Sequence, residues 1–193
     1  MGANTGVSVA ASKPKVGGGL YQAPLGTPLP TTETTTLNAA FKALGPISQE
    51  GIKPSRDTSV EKIKEWDGST LASLLTDESR AFEVVLYGYF DVEVQQWIYG
   101  VSNVTVTAAT AAAGTKMAIV DKGGKPDNCV VVIDMRHDKK VHRVVIPNAD
   151  CVVTDEGQWA GSNLKSYTVT IEAIKDASGN RVYEYLDDGM KTA

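Results

Sequence analysis

The sequence predicts a mainly β protein: a sandwich or barrel of two packed antiparallel sheets, flanked by one short α-helix and preceded by an extended N-terminal arm. Turn-forming residues recur about every 8–12 residues through most of the chain, a spacing typical of sandwiches and barrels. Between the turns, apolar and polar residues alternate with the period of two that a strand requires. Only one stretch, after Asp91, changes to a definite helical period. We therefore divide the chain into an arm, residues 1–45, and a β domain, residues 46–193.

The arm is rich in glycine, proline and threonine, with three consecutive glycines at 17–19 and prolines at positions 24, 28 and 30. Such a composition favours an extended chain and cannot form a core of its own. The arm nevertheless carries apolar residues that would be poor choices for a solvated tail: Leu20, Tyr21, Leu25, Leu29 and Phe41. We expect the arm to be mobile in the free subunit and to order on a neighbouring subunit. The alternative is that it packs on its own body.

The β domain begins with a predicted loop, residues 46–59, and a three-stranded meander. The predicted strands are Val60–Trp66, Ser69–Thr76 and Arg80–Tyr89. Asp67-Gly68 is a typical hairpin pair, because glycine accepts the positive φ of a tight turn. The segment Asp77-Glu78-Ser79 is predicted to turn the chain again.

A helix is predicted directly after the meander, over Asp91–Tyr99. Asp91 is a suitable N-cap and Gly100 a suitable stop. The apolar residues of its predicted buried face are Phe90, Val94, Trp97 and Ile98. A helix this short is not stable alone, so we expect Val94, Trp97 and Ile98 to pack on the sheet.

The rest of the chain is predicted to form further strands. They are expected at Ser102–Thr110, Lys116–Val120, Asn128–Arg136, Lys140–Pro147, Cys151–Thr154, Tyr167–Glu172 and Arg181–Leu186. The third and fourth of these are predicted to form a strong hairpin around His137-Asp138-Lys139.

Composition and motifs favour a structural role over an enzymatic one. The net charge of −4 argues against a dedicated nucleic-acid binder. Two cysteines in apolar strands are interpreted as buried free thiols, and no run of apolar residues is long enough to cross a membrane. We interpret His137 and His142 as a solvated hairpin end, since no third ligand completes a metal site. No nucleophile motif or phosphate-binding loop is found, so neither catalysis nor a cofactor is predicted.

One combination of motifs, in this order, resembles a known family. It consists of the arm YQAPLGTPLPTTETTTLNAAFKALGPISQEGI, then K-E-W-D-G, then a strand entering a helix that ends at Tyr99-Gly100. This combination is similar to the major tail (tail-tube) proteins of long-tailed, non-contractile bacteriophages, with the greatest likeness to those of actinobacterial phages. The likeness covers nearly the whole chain.

The resemblance implies a virion protein that forms stacked six-membered rings through which DNA leaves the capsid. The N-terminus lacks the basic and apolar regions of a signal peptide, so we expect synthesis in the host cytoplasm. It also implies neighbours in the tail: a tape measure protein, a tail terminator and a distal tail protein. Two other functions stay open, a monomeric adhesion module and the tube protein of a contractile injection system.

The distribution of charge suggests what would line such a tube. Residues 1–59 carry five basic and three acidic side chains, a net +2, which leaves −6 for the rest of a chain whose total is −4. An acidic wall repels DNA phosphates, whereas a basic wall binds them. The candidates for the bore are Glu83, Glu172 and Glu184.

Overall fold

A computed structural model describes residues 13–14 and 19–190 of the chain. The strands are β1 Lys13–Pro14, β2 Leu20–Pro24, β3 Lys42–Ala43, β4 Ile47–Lys64, β5 Thr70–Leu86, β6 Val104–Thr107, β7 Lys116–Ile119, β8 Cys129–His137, β9 Lys140–Asp155, β10 Tyr167–Ala173 and β11 Tyr183–Asp187. The helix α1 spans Val92–Tyr99, and a 3₁₀ turn, Val101–Asn103, follows it.

Two antiparallel sheets of very unequal size contain these strands. The larger has the order β3-β2-β8-β9-β10-β5-β4, with β1 also paired to β8 and β11 to β9; the smaller is the β6–β7 hairpin. The predicted class, mainly β with two antiparallel sheets and one α-helix, is confirmed for the part of the chain that the structure describes.

The main core lies on one face of the large sheet, beneath the helix. Alternate residues of β5 and β10 supply its centre: Phe82, Val84, Leu86, Tyr167, Val169 and Ile171. The helix adds Val94, Trp97 and Ile98, all buried. Gly88 permits this close approach, because a Cβ there would lie 2.8 Å from Cγ2 of Val94.

The ends of the helix follow the sequence prediction. Asp91 is extended at the N-cap, and its Oδ1 accepts a hydrogen bond from the Glu93 backbone N–H at 3.0 Å. Gly100 ends the helix with a φ of 87°, a value that glycine adopts without strain. Phe90 departs from the prediction: it precedes the helix and is exposed rather than packed on the core.

A second, smaller core occupies the opposite face, but only over β2, β8 and the start of β9. Its buried members are Ala23, Phe41, Val130, Val132 and Val145. Over β10, β5, β4 and the end of β9 this second face is open: Glu83, Glu172 and Val152 are all exposed.

The meander differs from the prediction. Asp77-Glu78-Ser79 is not a turn, and residues 46–59 are not a loop: both belong to one long hairpin, in which Asp57 pairs with Ser79 and Ser59 with Asp77. The polar residues of these segments suggested that the strands end there, but the backbone pairing between β4 and β5 continues through them. β4 contains Pro54, which an edge strand tolerates because half of its N–H groups have no ladder partner.

The arm also differs from the prediction where the structure describes it. β2 pairs with β8 over five residues, from Leu20 opposite Ile133 to Pro24 opposite Cys129. Leu20 lies in the main core and Phe41 in the second core of the same subunit. These side chains therefore pack on their own body, as the alternative for the arm predicted. The residues before Lys13 lie outside the described part of the chain.

Candidate assembly surfaces

A β-hairpin projects from the sheet with apolar side chains exposed on both faces. Beyond the Asp57–Ser79 pair, β4 and β5 pair only with each other, and most residues from 58 to 77 are exposed. Cross-strand pairing places Val60 and Leu75 on one face and Ile63 beside Ala72 on the other. A two-stranded hairpin is marginally stable in water, so this one requires a partner surface.

The tip of this hairpin is a tight, hydrogen-bonded turn. The Glu65 N–H donates to the carbonyl of Ser69 at 2.9 Å, and the Gly68 N–H donates to the carbonyl of Glu65 at 3.0 Å. Gly68 has a φ of 86°, as the Asp-Gly pair predicted. The Ser69 N–H donates to Asp67 Oδ1 at 2.8 Å, and this backbone hydrogen bond holds the pKa of Asp67 below its ordinary value. Trp66, held in this turn, is fully exposed.

An aromatic cluster lies at the other end of β5, directly after Leu86. The Tyr89 ring meets the Trp159 ring edge-on, with centroids 6.2 Å apart, and stacks on Tyr167 at the same distance. Lys165 Nζ lies 5.4 Å from the ring centroids of both Trp159 and Tyr167. Phe90 and Trp159 are largely exposed, so the cluster presents apolar surface to solvent.

The helix fixes the position of this cluster. The side-chain amide of Gln95, buried on α1, donates to the carbonyl of Tyr89 at 2.7 Å and contacts the Tyr167 hydroxyl at 3.2 Å. Burial is the main cause that raises the pKa of the Tyr167 phenol above its ordinary value, so the hydroxyl stays neutral at physiological pH.

Two of the three predicted bore carboxylates share the open face of the sheet. Glu83 pairs with Thr170 on β10 and with Lys53 on β4, and Glu172 pairs with Asp150 on β9. Asp150 in turn accepts a hydrogen bond from Lys125 at 2.5 Å. The face is therefore polar, with acidic groups partly offset by lysines.

Glu184 lies elsewhere. It pairs with Val144, whose side chain belongs to the main core on the opposite face. Glu184 binds Arg80 through a charged hydrogen bond and lies 3.2 Å from His142 Nε2. Although partial burial acts to raise it, these two partners lower the pKa of Glu184 below its ordinary value. The structure therefore does not bring this residue together with Glu83 and Glu172.

The remaining arm candidates are divided between the second core and the surface. Tyr21, Leu29 and Leu37 are partly buried against the second core, whereas Leu25 has 55% of its surface exposed. Leu25 is thus the arm leucine that stays accessible to a neighbouring molecule.

The described residues contain no group of three or more His, Cys, Asp or Glu side chains arranged to hold a metal ion. His142 contacts Glu184, while Cys129 and Cys151 are buried free thiols with sulfur atoms 3.7 Å apart. Within the same residues, no helix has the length and apolar character needed to span a bilayer.

The projecting hairpin was not predicted as an exposed assembly surface, because a turn was expected at Asp77-Glu78-Ser79, in the middle of β5. A signal was present: Leu71, Leu74 and Leu75 lie between polar residues on both sides of a strand that has no covering partner. The position of Trp66 directly before a predicted turn was a second indication.

Comparison with known proteins gives one match that covers the whole chain. A family model described as "Phage tail tube protein" matches residues 1–193. No curated protein matches the sequence.

Proposed function

Because the chain belongs to the phage tail tube protein family, we propose that its copies form closed rings, six to a ring, that stack into the tube of a long, non-contractile phage tail. The tube would conduct double-stranded DNA during ejection. It would be assembled in the host cytoplasm beside a tape measure protein, a tail terminator and a distal tail protein.

The observation that carries this proposal, beside the family match, is the projecting hairpin. Exposed apolar surface on a monomer marks interaction sites, and Leu71, Leu74 and Leu75 expose such surface on the two faces of β5. Heterologous contacts between identical subunits close into rings or extend into filaments. A tube of stacked rings uses both kinds of contact.

The open face of the large sheet is the surface we assign to the bore. It has no core residues over β10, β5 and β4, and Glu83 and Glu172 project from it. Because carboxylates repel phosphates, DNA could pass such a wall without being retained. Glu184 takes no part in this surface, since it lies on the other face in contact with Arg80 and His142.

Purified full-length protein tests the proposal by light scattering and negative-stain electron microscopy. We expect rings or hollow tubes of uniform diameter. A protein that stays monomeric at high concentration, over a range of salt, would contradict the proposal and favour an adhesion module.

A further inference from the structure

We propose that the Trp66 tip of one copy docks into the aromatic cluster around Tyr89 and Trp159 of a second copy of this chain. The inference rests on the proposed function, because it assigns one contact between stacked copies. Three observations carry it: the form of the tip, the form of the cluster, and their positions beyond opposite ends of the same strand.

The tip is a convex, preorganised anchor. The turn from Glu65 to Ser69 closes through backbone hydrogen bonds, so Trp66 is presented without further ordering of the chain. Tryptophan is the side chain most often found as an interface anchor, since it buries a large apolar area with few rotatable bonds. A fully exposed Trp66 on a rigid turn has no role in the core of its own subunit.

The aromatic cluster is concave. An open cleft of about 450 Å³ is lined by Tyr89, Gln158, Trp159, Ala160, Gly161, Asn163 and Lys165. Its walls combine two aromatic rings with small residues, an arrangement that accepts a flat aromatic side chain.

Charge sets one condition on this pairing. Trp66 is flanked by Glu65 and Asp67, so the tip carries two carboxylates beside its indole. The cleft contains Lys165, whose ammonium group lies over the rings and 3.5 Å from Glu156. Because Glu156 already pairs with that ammonium group, a tip carboxylate that enters the cleft must share Lys165 with Glu156 or displace it.

The distance between the tip and the aromatic cluster excludes a contact between them within one subunit. The tip precedes Thr70, the first residue of β5, and the cluster follows Leu86, its last residue. A 17-residue strand separates the two by roughly 50 Å. A knob at one end of the molecule and a cleft at the other can meet only between copies, and repetition of that contact extends a filament.

Disulfide cross-linking tests the contact without altering Trp66. Glu65→Cys and Ala160→Cys are introduced into separate full-length chains, which are mixed, assembled and mildly oxidised. We expect dimers that contain one chain of each type, because the two positions would come within the Cα separation of about 4.4–6.8 Å that disulfides need. The matched control replaces Ala160→Cys by Ser178→Cys, an exposed turn residue outside the cleft, and should give none.

A double-mutant cycle supplies the energetic test. Trp66→Ala and Trp159→Ala should each raise the critical concentration for tube formation about tenfold or more, and the double variant should be no worse than either single variant. Far-UV circular dichroism should stay unchanged for Trp66→Ala. Leu186→Ala, which alters another exposed apolar residue, on β11, should leave the critical concentration unchanged.

The outcomes separate the two proposals. Tubes that form without a disulfide between the Glu65→Cys and Ala160→Cys chains, and with additive effects in the cycle, would overturn this contact and leave the tube function intact. A wild-type chain that forms no tubes would overturn the proposed function, and this contact with it.

Discussion

Arg143 and Asp134 form a buried, bidentate ion pair between the paired strands β9 and β8. Nε of Arg143 donates to Oδ1 of Asp134 at 2.6 Å, and Nη2 donates to Oδ2 at 2.8 Å. The remaining nitrogen, Nη1, donates to the backbone carbonyls of Thr32 and Thr35 at 3.0 and 2.6 Å. One guanidinium group therefore fastens the segment after β2 to the sheet.

Replacing Arg143 should destabilise the subunit strongly. Arg143→Ala leaves the Asp134 carboxylate buried without its guanidinium, which typically costs about 3–5 kcal/mol of unfolding free energy. Urea unfolding followed by circular dichroism measures this. Arg56→Ala is the control, because its pair with Glu78 is exposed and should be worth about 0–1 kcal/mol. An equal loss in the two variants would contradict the fastening role of Arg143.

Two leucines of the arm provide a matched test of its placement. Leu20 is completely buried in the main core, whereas 55% of Leu25 is exposed. Leu20→Ala should lower the unfolding free energy by about 2–5 kcal/mol, and Leu25→Ala by much less.

By the same reasoning, deletion of residues 1–36 should unfold the isolated subunit, because it removes β2. A stable subunit after that deletion would show that the strand is dispensable.

Glu184 should contribute to the pH dependence of stability. Although burial acts to raise it, Arg80 and His142 lower the pKa of this carboxyl in the folded state from the ordinary value of 4.5. The folded state therefore binds this proton less readily than the unfolded chain. The stabilisation is complete above the ordinary pKa and is lost as pH falls through the lower, folded value.

Unfolding measured from pH 7 down to pH 3 checks this assignment. Glu184→Gln should reduce the acid-side slope of unfolding free energy against pH. Glu61→Gln, on the exposed hairpin, should leave the slope unchanged. Identical slopes of unfolding free energy against pH in wild type and Glu184→Gln would contradict the role assigned to Glu184.

The open face predicts how the tube treats DNA. In assembled tubes, the double variant Glu83→Lys/Glu172→Lys should retain DNA, with retention that weakens as salt rises. Co-sedimentation of DNA with tubes measures retention. Asp187→Lys/Asp188→Lys makes the same change in net charge on β11 and beyond it, and β11 pairs with β9 rather than with β10, β5 or β4. Retention by that control alone would place the bore elsewhere.

The parts of the fold that depend only on residues adjacent in sequence could be predicted from the sequence. The Asp67-Gly68 turn, the Asp91 cap and the Gly100 stop could all be predicted because each depends on a few adjacent backbone torsions. The turn predicted at Asp77-Glu78-Ser79 was wrong because those residues pair with strand residues about 20 positions earlier, a contact that local propensity does not report.

The arm shows the same limit at longer range. Its apolar residues indicated correctly that the segment packs against something. Which surface it packs against depended on strand β8, more than 100 residues later, whose free edge accepts Leu20–Pro24. The sequence also could not show that Glu184 lies across the sheet from Glu83, because their strands are not neighbours.

Cryo-electron microscopy of the assembled full-length protein would show how copies of the chain pack together. We expect a hollow tube of stacked rings, with the hairpin around Trp66 contacting the next copy and with Glu83 and Glu172 facing the bore. A monomer under all assembly conditions, or a tube whose bore is lined by the helix α1, would contradict it.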